Sequence, residues 1–282
     1  MPFRRALLVG WMLLVPAWAL ADSDAGDSKE PQRWENLVFP MPIIGFPPNL
    51  QNQIQIFNNT FTGNLGNGNV PTLELSYVTD RHLALIAILP FQIGSDGQPN
   101  GFRDLALFVQ YLAAGSLRMD NMLSVGITTV LPTGRGSLSL RDWYVGPFAF
   151  AGQRFWHRLT LELNVAALVP ITRGESARQL GADGLIALLL TKQRAGLPLY
   201  LQVEANTTTF LGGTSGLPQG ATRSPVESVF IAPELSAGPF HTPLSDGTWI
   251  AGGVFVNLAG DPAHRLIYTL TVAFGIPNRY GY

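Results

Sequence analysis

No cysteine occurs anywhere in the 282 residues. That excludes a disulfide framework, a thiolate metal site, a cysteine nucleophile and a lipidated N-terminal cysteine together. Charge is scarce as well: 13% of residues are Asp, Glu, Lys or Arg, roughly half the usual share of a soluble domain. The 18 basic and 19 acidic side chains nearly cancel and are scattered along the chain, so the basic footprint of a nucleic-acid binder is missing and no nucleic-acid partner is expected. A third absence concerns apolar runs. A spanning helix needs about 18 consecutive apolar residues, and nothing of that kind follows Ala21. Yet 46% of the chain is hydrophobic and its mean hydropathy is +0.19. So apolar a chain needs either a very large core or an outer surface that meets something other than water.

The first segment reads as an address. Arg4 and Arg5 form a positive start, Ala6 to Val15 an apolar stretch, and Ala19-Leu20-Ala21 a small-x-small cleavage site. Residues 1–21 are therefore expected to be a signal peptide removed on export, leaving Asp22 first. An uncleaved anchor is disfavoured because Pro16 interrupts a stretch already too short to span. Residues 22–50 are acidic and polar up to Glu35, then carry Pro40, Pro42, Pro47 and Pro48. They suit neither a helix nor a central strand and read as a periplasmic N-terminal segment, either a linker or a plug-like lead-in.

From residue 51 to 282 the dominant period is two, which sends alternate side chains to opposite faces of a strand. Leu73, Leu75 and Tyr77 oppose Thr72, Glu74 and Ser76. Leu159, Leu161, Leu163 and Val165 oppose Thr160, Glu162 and Asn164, and Leu199, Leu201 and Val203 oppose Tyr200, Gln202 and Glu204. No helix sorts residues in this way. Runs of this kind, bounded by Gly, Pro, Asn and Asp, start near Gln53, Thr72, His82, Asp104, Asn121, Trp143, His157, Gly184, Leu199, Ser228, Trp249 and Ile267. Each is about eight to twelve residues, the length at which a tilted strand crosses a bilayer. Short links at Thr79-Asp80-Arg81, Gly115 to Asp120, Gly152 to Phe155 and Arg194 to Pro198 alternate with longer ones, as in outer-membrane barrels. Two links break the alternation: Ser236 to Gly247 is long and Gly260 to Arg265 short. The last run ends on Tyr282, and Pro277, which cannot donate to a ladder, sets an expected strand end near Ile276. Trp143, Phe155, Trp156 and Tyr268 lie near strand ends, where interfacial aromatic girdles belong. The expected fold is all-β, an antiparallel transmembrane β-barrel of about twelve strands in the bacterial outer membrane, with outer-membrane lipid around it. A periplasmic β-sandwich alternates its side chains similarly and is the competing reading.

Three local motifs, in order, carry a family resemblance. They are Leu75-Ser76-Tyr77-Val78-Thr79-Asp80-Arg81, Gly101-Phe102-Arg103-Asp104-Leu105 with Gln110-Tyr111 after it, and Val130-Leu131-Pro132-Thr133-Gly134. In these the chain resembles the outer-membrane transporter family associated with the meta-pathway of phenol degradation. Arg103 stands where that family has a glycine. The resemblance covers roughly residues 70 to 135; it implies a membrane barrel that moves small organic compounds, and it brings no catalytic residues.

If outward faces are apolar, function sits on inward ones. The candidates for a lumen-facing set are Glu74, Gln110, Glu162, Asn164, Gln202, Glu204, Asn206, Glu234 and Asn257. Such a set either lines an acidic passage that favours cations or hydrogen-bonds across a filled interior. His82 to Leu89 and Gly184 to Leu190 are apolar on both faces, which does not suit a water-filled porin. The reading that results is a channel or transporter for small hydrophobic or aromatic compounds. A structural or adhesive barrel is the alternative, since the loop from Gly212 to Glu227 is long. A barrel enzyme ranks below both: Gly212-Gly213-Thr214-Ser215-Gly216 lacks nucleophile-elbow spacing, and His82, His157, His241 and His264 are far apart. No catalytic residue, metal site or cofactor is expected.

Overall fold

A computed structural model of the chain describes residues 52–62, 67–79, 82–95, 98–115, 121–156, 158–171, 176–191, 198–213, 226–242, 245–259 and 265–276. The expected signal peptide (1–21) and N-terminal segment (22–50) lie outside the described residues.

The described chain is a single sheet of thirteen strands. They are β1 (Asn52–Thr62), β2 (Gly68–Val78), β3 (Leu83–Gly94), β4 (Gly101–Phe102), β5 (Leu105–Gly115), β6 (Asn121–Leu131), β7 (Tyr144–Phe155), β8 (Leu159–Pro170), β9 (Arg178–Leu189), β10 (Leu199–Leu211), β11 (Val226–Thr242), β12 (Ser245–Ala259) and β13 (Leu266–Ile276). β4 has only 2 residues and lies against the end of β3, with Phe91 opposite Phe102. The other strands pair antiparallel with their neighbours in chain order. The sheet then closes on itself through β1 and β13, which run in register from Asn52 opposite Ile276 to Thr62 opposite Leu266. Closure leaves no long edge with unpaired N–H and C=O groups, and that is what a strand in hydrocarbon requires. A sandwich would have kept its edges. The fold is a closed twelve-stranded antiparallel barrel with a two-residue ribbon added.

Alternation carries through into burial. In β2 the inward residues Thr72, Glu74, Ser76 and Val78 are buried, whereas Leu73, Leu75 and Tyr77 are exposed. In β10 Tyr200, Gln202 and Glu204 are buried and Leu201 and Val203 exposed. The same belt continues through Leu85, Val109, Ile127, Ile186, Ile231, Ile250 and Leu270. Each such side chain gains roughly 1.5–3 kcal/mol on leaving water, so a belt closed around the barrel is untenable in water and suits hydrocarbon. Aromatics flank it at both rims. Tyr77, Tyr111, Phe155 and Trp156 are exposed at the end that holds the start of β1, and Phe102, Trp143 and Tyr268 towards the other.

Several strand boundaries differ from the sequence reading: β2 begins at Gly68 rather than near Thr72, and β7 runs through the expected short link from Gly152 to Phe155. β11 runs through Pro233 and on to Thr242, and β12 begins at Ser245, so the long link expected from Ser236 to Gly247 shrinks to residues 243–244. Ala237-Gly238-Pro239 resembles a turn, yet Leu199 pairs Ala237 and the Gly238 amide donates to the Pro198 carbonyl at 2.9 Å. The irregular register between β11 and β12 at Ala237/Phe240 absorbs the misfit. β9 begins at Arg178 rather than near Gly184, because Leu168 and Leu211 on its two neighbours hold Gln179 and Arg178 in the ladder. β13, by contrast, ends at Ile276, where Pro277 set the expected end.

Candidate functional site: the inner wall

Register places the polar candidates in rows. Across β8, β9 and β10 one row reads Glu162, Leu185, Glu204, and β11 adds Ala232 opposite Glu204. One pleat step along, Asn164, Asp183, Asn206 and Phe230 form the next row. On the other side Thr160, Ala187, Gln202 and Glu234 form a third. Four adjacent strands thus put Glu162, Asp183, Glu204 and Glu234 on one face of one wall. All four are at most 8% exposed.

Polar contacts knit part of this wall together. Gln202 Nε2 donates to Glu234 Oε2 at 3.1 Å, and the Ser236 hydroxyl donates to Gln202 Oε1. Asp183 and Glu234 each make a side-chain contact with Glu204, and Asp183 a further one with Asn206. Carboxylates this close need either a shared proton or a cation between them. Gly253 on β12 gives Glu234 its room: a Cβ there would meet Glu234 Cγ at 2.5 Å and the Pro233 carbonyl at 3.0 Å.

Glu74 and Gln110 lie elsewhere. Glu74, 4% exposed, faces inward on β2, far round the barrel from β8, where it pairs Gln55 and Ile88. Gln110 on β5 is fully buried opposite Ala84 and Gly126. Asn206 and Asn257 are half-buried towards the loop end. Glu74 and Gln110 therefore do not join the acidic wall, whereas Asn257 stands opposite Phe230 and extends the row of Asn164, Asp183 and Asn206 onto β12.

Apolar clusters separate these polar zones. Tyr200 and Trp249, with ring centroids 5.9 Å apart, pack with Leu185, Ala187, Leu189 and Ala273. Phe230, Ala232, Ala251 and Phe255 form a second cluster, with Ile267 against it. Phe108 and Phe148 meet edge to face at 5.9 Å, alongside Ile86. Asp183, Tyr200 and Trp249 escaped the sequence reading of the site. Asp183 sits in Gly181-Ala182-Asp183-Gly184, which looks like a turn; only its register with Asn164 and Asn206 reveals its face.

At the mouth, the second and third motifs of the sequence interlock. Asp104 Oδ1 accepts from the Gly134 amide at 2.9 Å and Oδ2 from the Leu140 amide at 2.6 Å. The Thr133 hydroxyl oxygen accepts from the Leu105 amide at 3.0 Å. Of the four histidines, His82 is exposed in a turn beside Tyr111, their rings 5.9 Å apart. The side chains of His157, His241 and His264, and the Thr214-Ser215 segment, lie outside the described residues. Among the described residues no group of three or more His, Asp or Glu side chains is disposed to hold a metal ion.

No family model matches the chain, and no curated protein matches it in sequence. Solved structures do match. An outer membrane channel from Pseudomonas putida F1 superposes with a TM-score of 0.56 at 16% identity, over 85% of this chain and 100% of that one. The NanC porin superposes with a TM-score of 0.53 at 12% identity, over 79% of this chain and 100% of that one. At such identities the likeness is one of fold.

Proposed function

We propose that this chain is a channel or transporter of the bacterial outer membrane, reached by way of a cleavable signal peptide, that admits small organic solutes with apolar or aromatic bodies. The observation that carries this reading is the division of one closed barrel into two surfaces. Outside is a continuous belt of Leu, Ile and Val bounded by aromatic rims. Inside, carboxylates and amides alternate with the Tyr200–Trp249 and Phe230–Phe255 clusters. A water-filled pore for general nutrients has little use for such aromatic clusters, whereas a solute with an apolar body does. The motif resemblance to the transporter family associated with phenol degradation supports the same cargo, and the fold likeness to an outer membrane channel and a porin supports a channel role without bearing on the cargo. The lumen-facing role of Glu74, Gln110, Glu162, Asn164, Gln202, Glu204, Asn206, Glu234 and Asn257 is part of this proposal.

The test is entry of a neutral aromatic solute into vesicles whose outer leaflet is lipopolysaccharide, which by itself resists such compounds. Vesicles carrying the protein should take up 1-naphthalenemethanol several-fold faster than empty ones. Equal rates, together with no ion conductance in planar bilayers, would end the reading.

A further inference from the structure

Among the described residues no positive charge acts on Glu162, in the middle of the acidic wall. Neither carboxylate oxygen of Glu162 has a hydrogen-bond partner, and the charged groups that act on it are Asp183 and Glu204, both acidic. Asp183 Oδ2 and Glu234 Oε1 are also without a partner. Neutral acceptors point the same way. Asn164 is 7% exposed, stands opposite Asp183 in the β8–β9 ladder, and its Oδ1 accepts no hydrogen bond. Thr160, on the other side of Glu162 along β8, has a hydroxyl that is buried and unpartnered. A buried wall of acceptors is strongly unfavourable unless a donor or a cation meets it.

The spacing says which kind of cation. Glu162 and Glu204 both flank Leu185, one strand to either side, so their backbones are roughly 9–10 Å apart. Asp183 lies one pleat step away, about 6.8 Å along β9. A metal ion needs several oxygens converging at about 2.0–2.6 Å, and no such group exists among the described residues. The wall fits a larger ion with donors spread over its head. Leu185 ties the row to the tilted Tyr200–Trp249 ring pair, and Ala232 ties it to Phe230 and Phe255. Apolar surface and ring faces therefore border the carboxylates, the setting in which ammonium groups on apolar bodies are held. Arg154 on β7, half-buried, stands opposite Thr160 at the β7 end of the row that holds Gln202 and Glu234, and it acts on Tyr200.

We infer that the β8–β11 wall, built on Glu162, Asp183, Glu204 and Glu234, is a binding site for a small organic ammonium ion with an apolar or aromatic body. The inference rests on the channel reading in that the wall must be reachable from the mouth, and it adds to that reading a preference for amines over neutral solutes of the same shape.

The experiment compares two isosteric fluorescent probes, 1-naphthylmethylamine and neutral 1-naphthalenemethanol, titrated into the purified full-length protein in detergent at neutral pH. The amine should bind at least tenfold more tightly than the alcohol. Glu162→Gln combined with Glu204→Gln should weaken the amine at least tenfold, and Arg265→Gln, an exposed residue away from the wall, should not. Heat-modifiable migration on gels verifies that each barrel is folded. Failure of the amine to bind wild-type protein overturns the site whatever the variants do. So does equal amine affinity in the folded double variant. If the protein speeds entry of the alcohol into vesicles but does not bind the amine, this site falls and the channel reading stands. If it binds the amine but carries neither probe, the site stands and the transport reading falls.

Discussion

Asp104 at the start of β5 holds Gly134, in the loop after β6, through its carboxylate. The Gly134 amide donates to Oδ1 at 2.9 Å, and the Leu140 amide donates to Oδ2 at 2.6 Å. One side chain thereby clamps both limbs of the loop spanning residues 132–143, with the single turn of 3-10 helix at Gly136–Leu138 between them. A Cβ at position 134 would lie 2.7 Å from the Leu138 carbonyl and 3.0 Å from Asp104 Oδ1, so only glycine allows the approach. Two motifs that are mere turn chemistry when taken singly are thus one structural unit at the mouth.

Removing that clamp has a calculable effect. Hydrogen bonds to a charged group contribute about 1.5–3 kcal/mol each, so Asp104→Ala, which removes two of them, should open the loop and cost about 3–6 kcal/mol locally. Limited proteolysis should cut the variant between residues 132 and 143 at a protease concentration that spares wild type. Asp104→Asn, which keeps an acceptor but loses the charge, should fall between them.

The outer belt is tested by charge. Val203→Arg or Ile127→Arg places a cation among exposed apolar side chains, at a cost of about 2–4 kcal/mol near the bilayer midplane. Unfolding by guanidinium in lipid vesicles should show that loss. Val203→Leu should leave the midpoint unchanged.

Tryptophan position makes a separate prediction. Trp143 and Trp156 are 51% and 82% exposed at opposite rims, whereas Trp249 is 1% exposed inside the barrel. Brominated lipids should quench a protein whose only tryptophan is Trp143 or Trp156, and should barely affect one that keeps only Trp249. Equal quenching of all three would contradict the inside and outside assigned here.

Gly126 on β6 lies beneath the Phe148 ring. A Cβ there would meet Phe148 Cζ at 2.4 Å and the Val109 carbonyl at 2.3 Å. Gly126→Val should force that ring and the β5–β6 ladder apart, destabilising the barrel by about 1–3 kcal/mol. Thermal unfolding in detergent is the readout, and pairing with Phe148→Ala should recover part of the loss.

Charge selectivity follows from the acidic wall. Glu234→Gln removes one of its four carboxylates and keeps an acceptor for Gln202. If the wall borders the conducting path, the reversal potential in a potassium chloride gradient should move towards the anion side by several millivolts at low salt, and less at high salt, where screening is stronger. An unchanged potential would remove the wall from the path.

The division between what the sequence settles and what needs the third dimension follows the range of each interaction. Strand type, and the face of a side chain wherever the alternation is clean, are local properties, because a period of two is written in neighbours such as Leu73, Glu74 and Leu75. Aromatic rims and the stop at Ile276 are equally local, the latter set by Pro277. Register is not. Whether Ala237-Gly238-Pro239 turns or continues depends on β10, and whether Asp183 faces in depends on Asn164 and Asn206 lying opposite it. A chain read one residue at a time therefore yields a list of inward carboxylates. Only the pairing of β8 to β11 makes Glu162, Asp183, Glu204 and Glu234 one wall and leaves Glu74 on another, since electrostatic and packing energies depend on distance in space and not on separation in sequence.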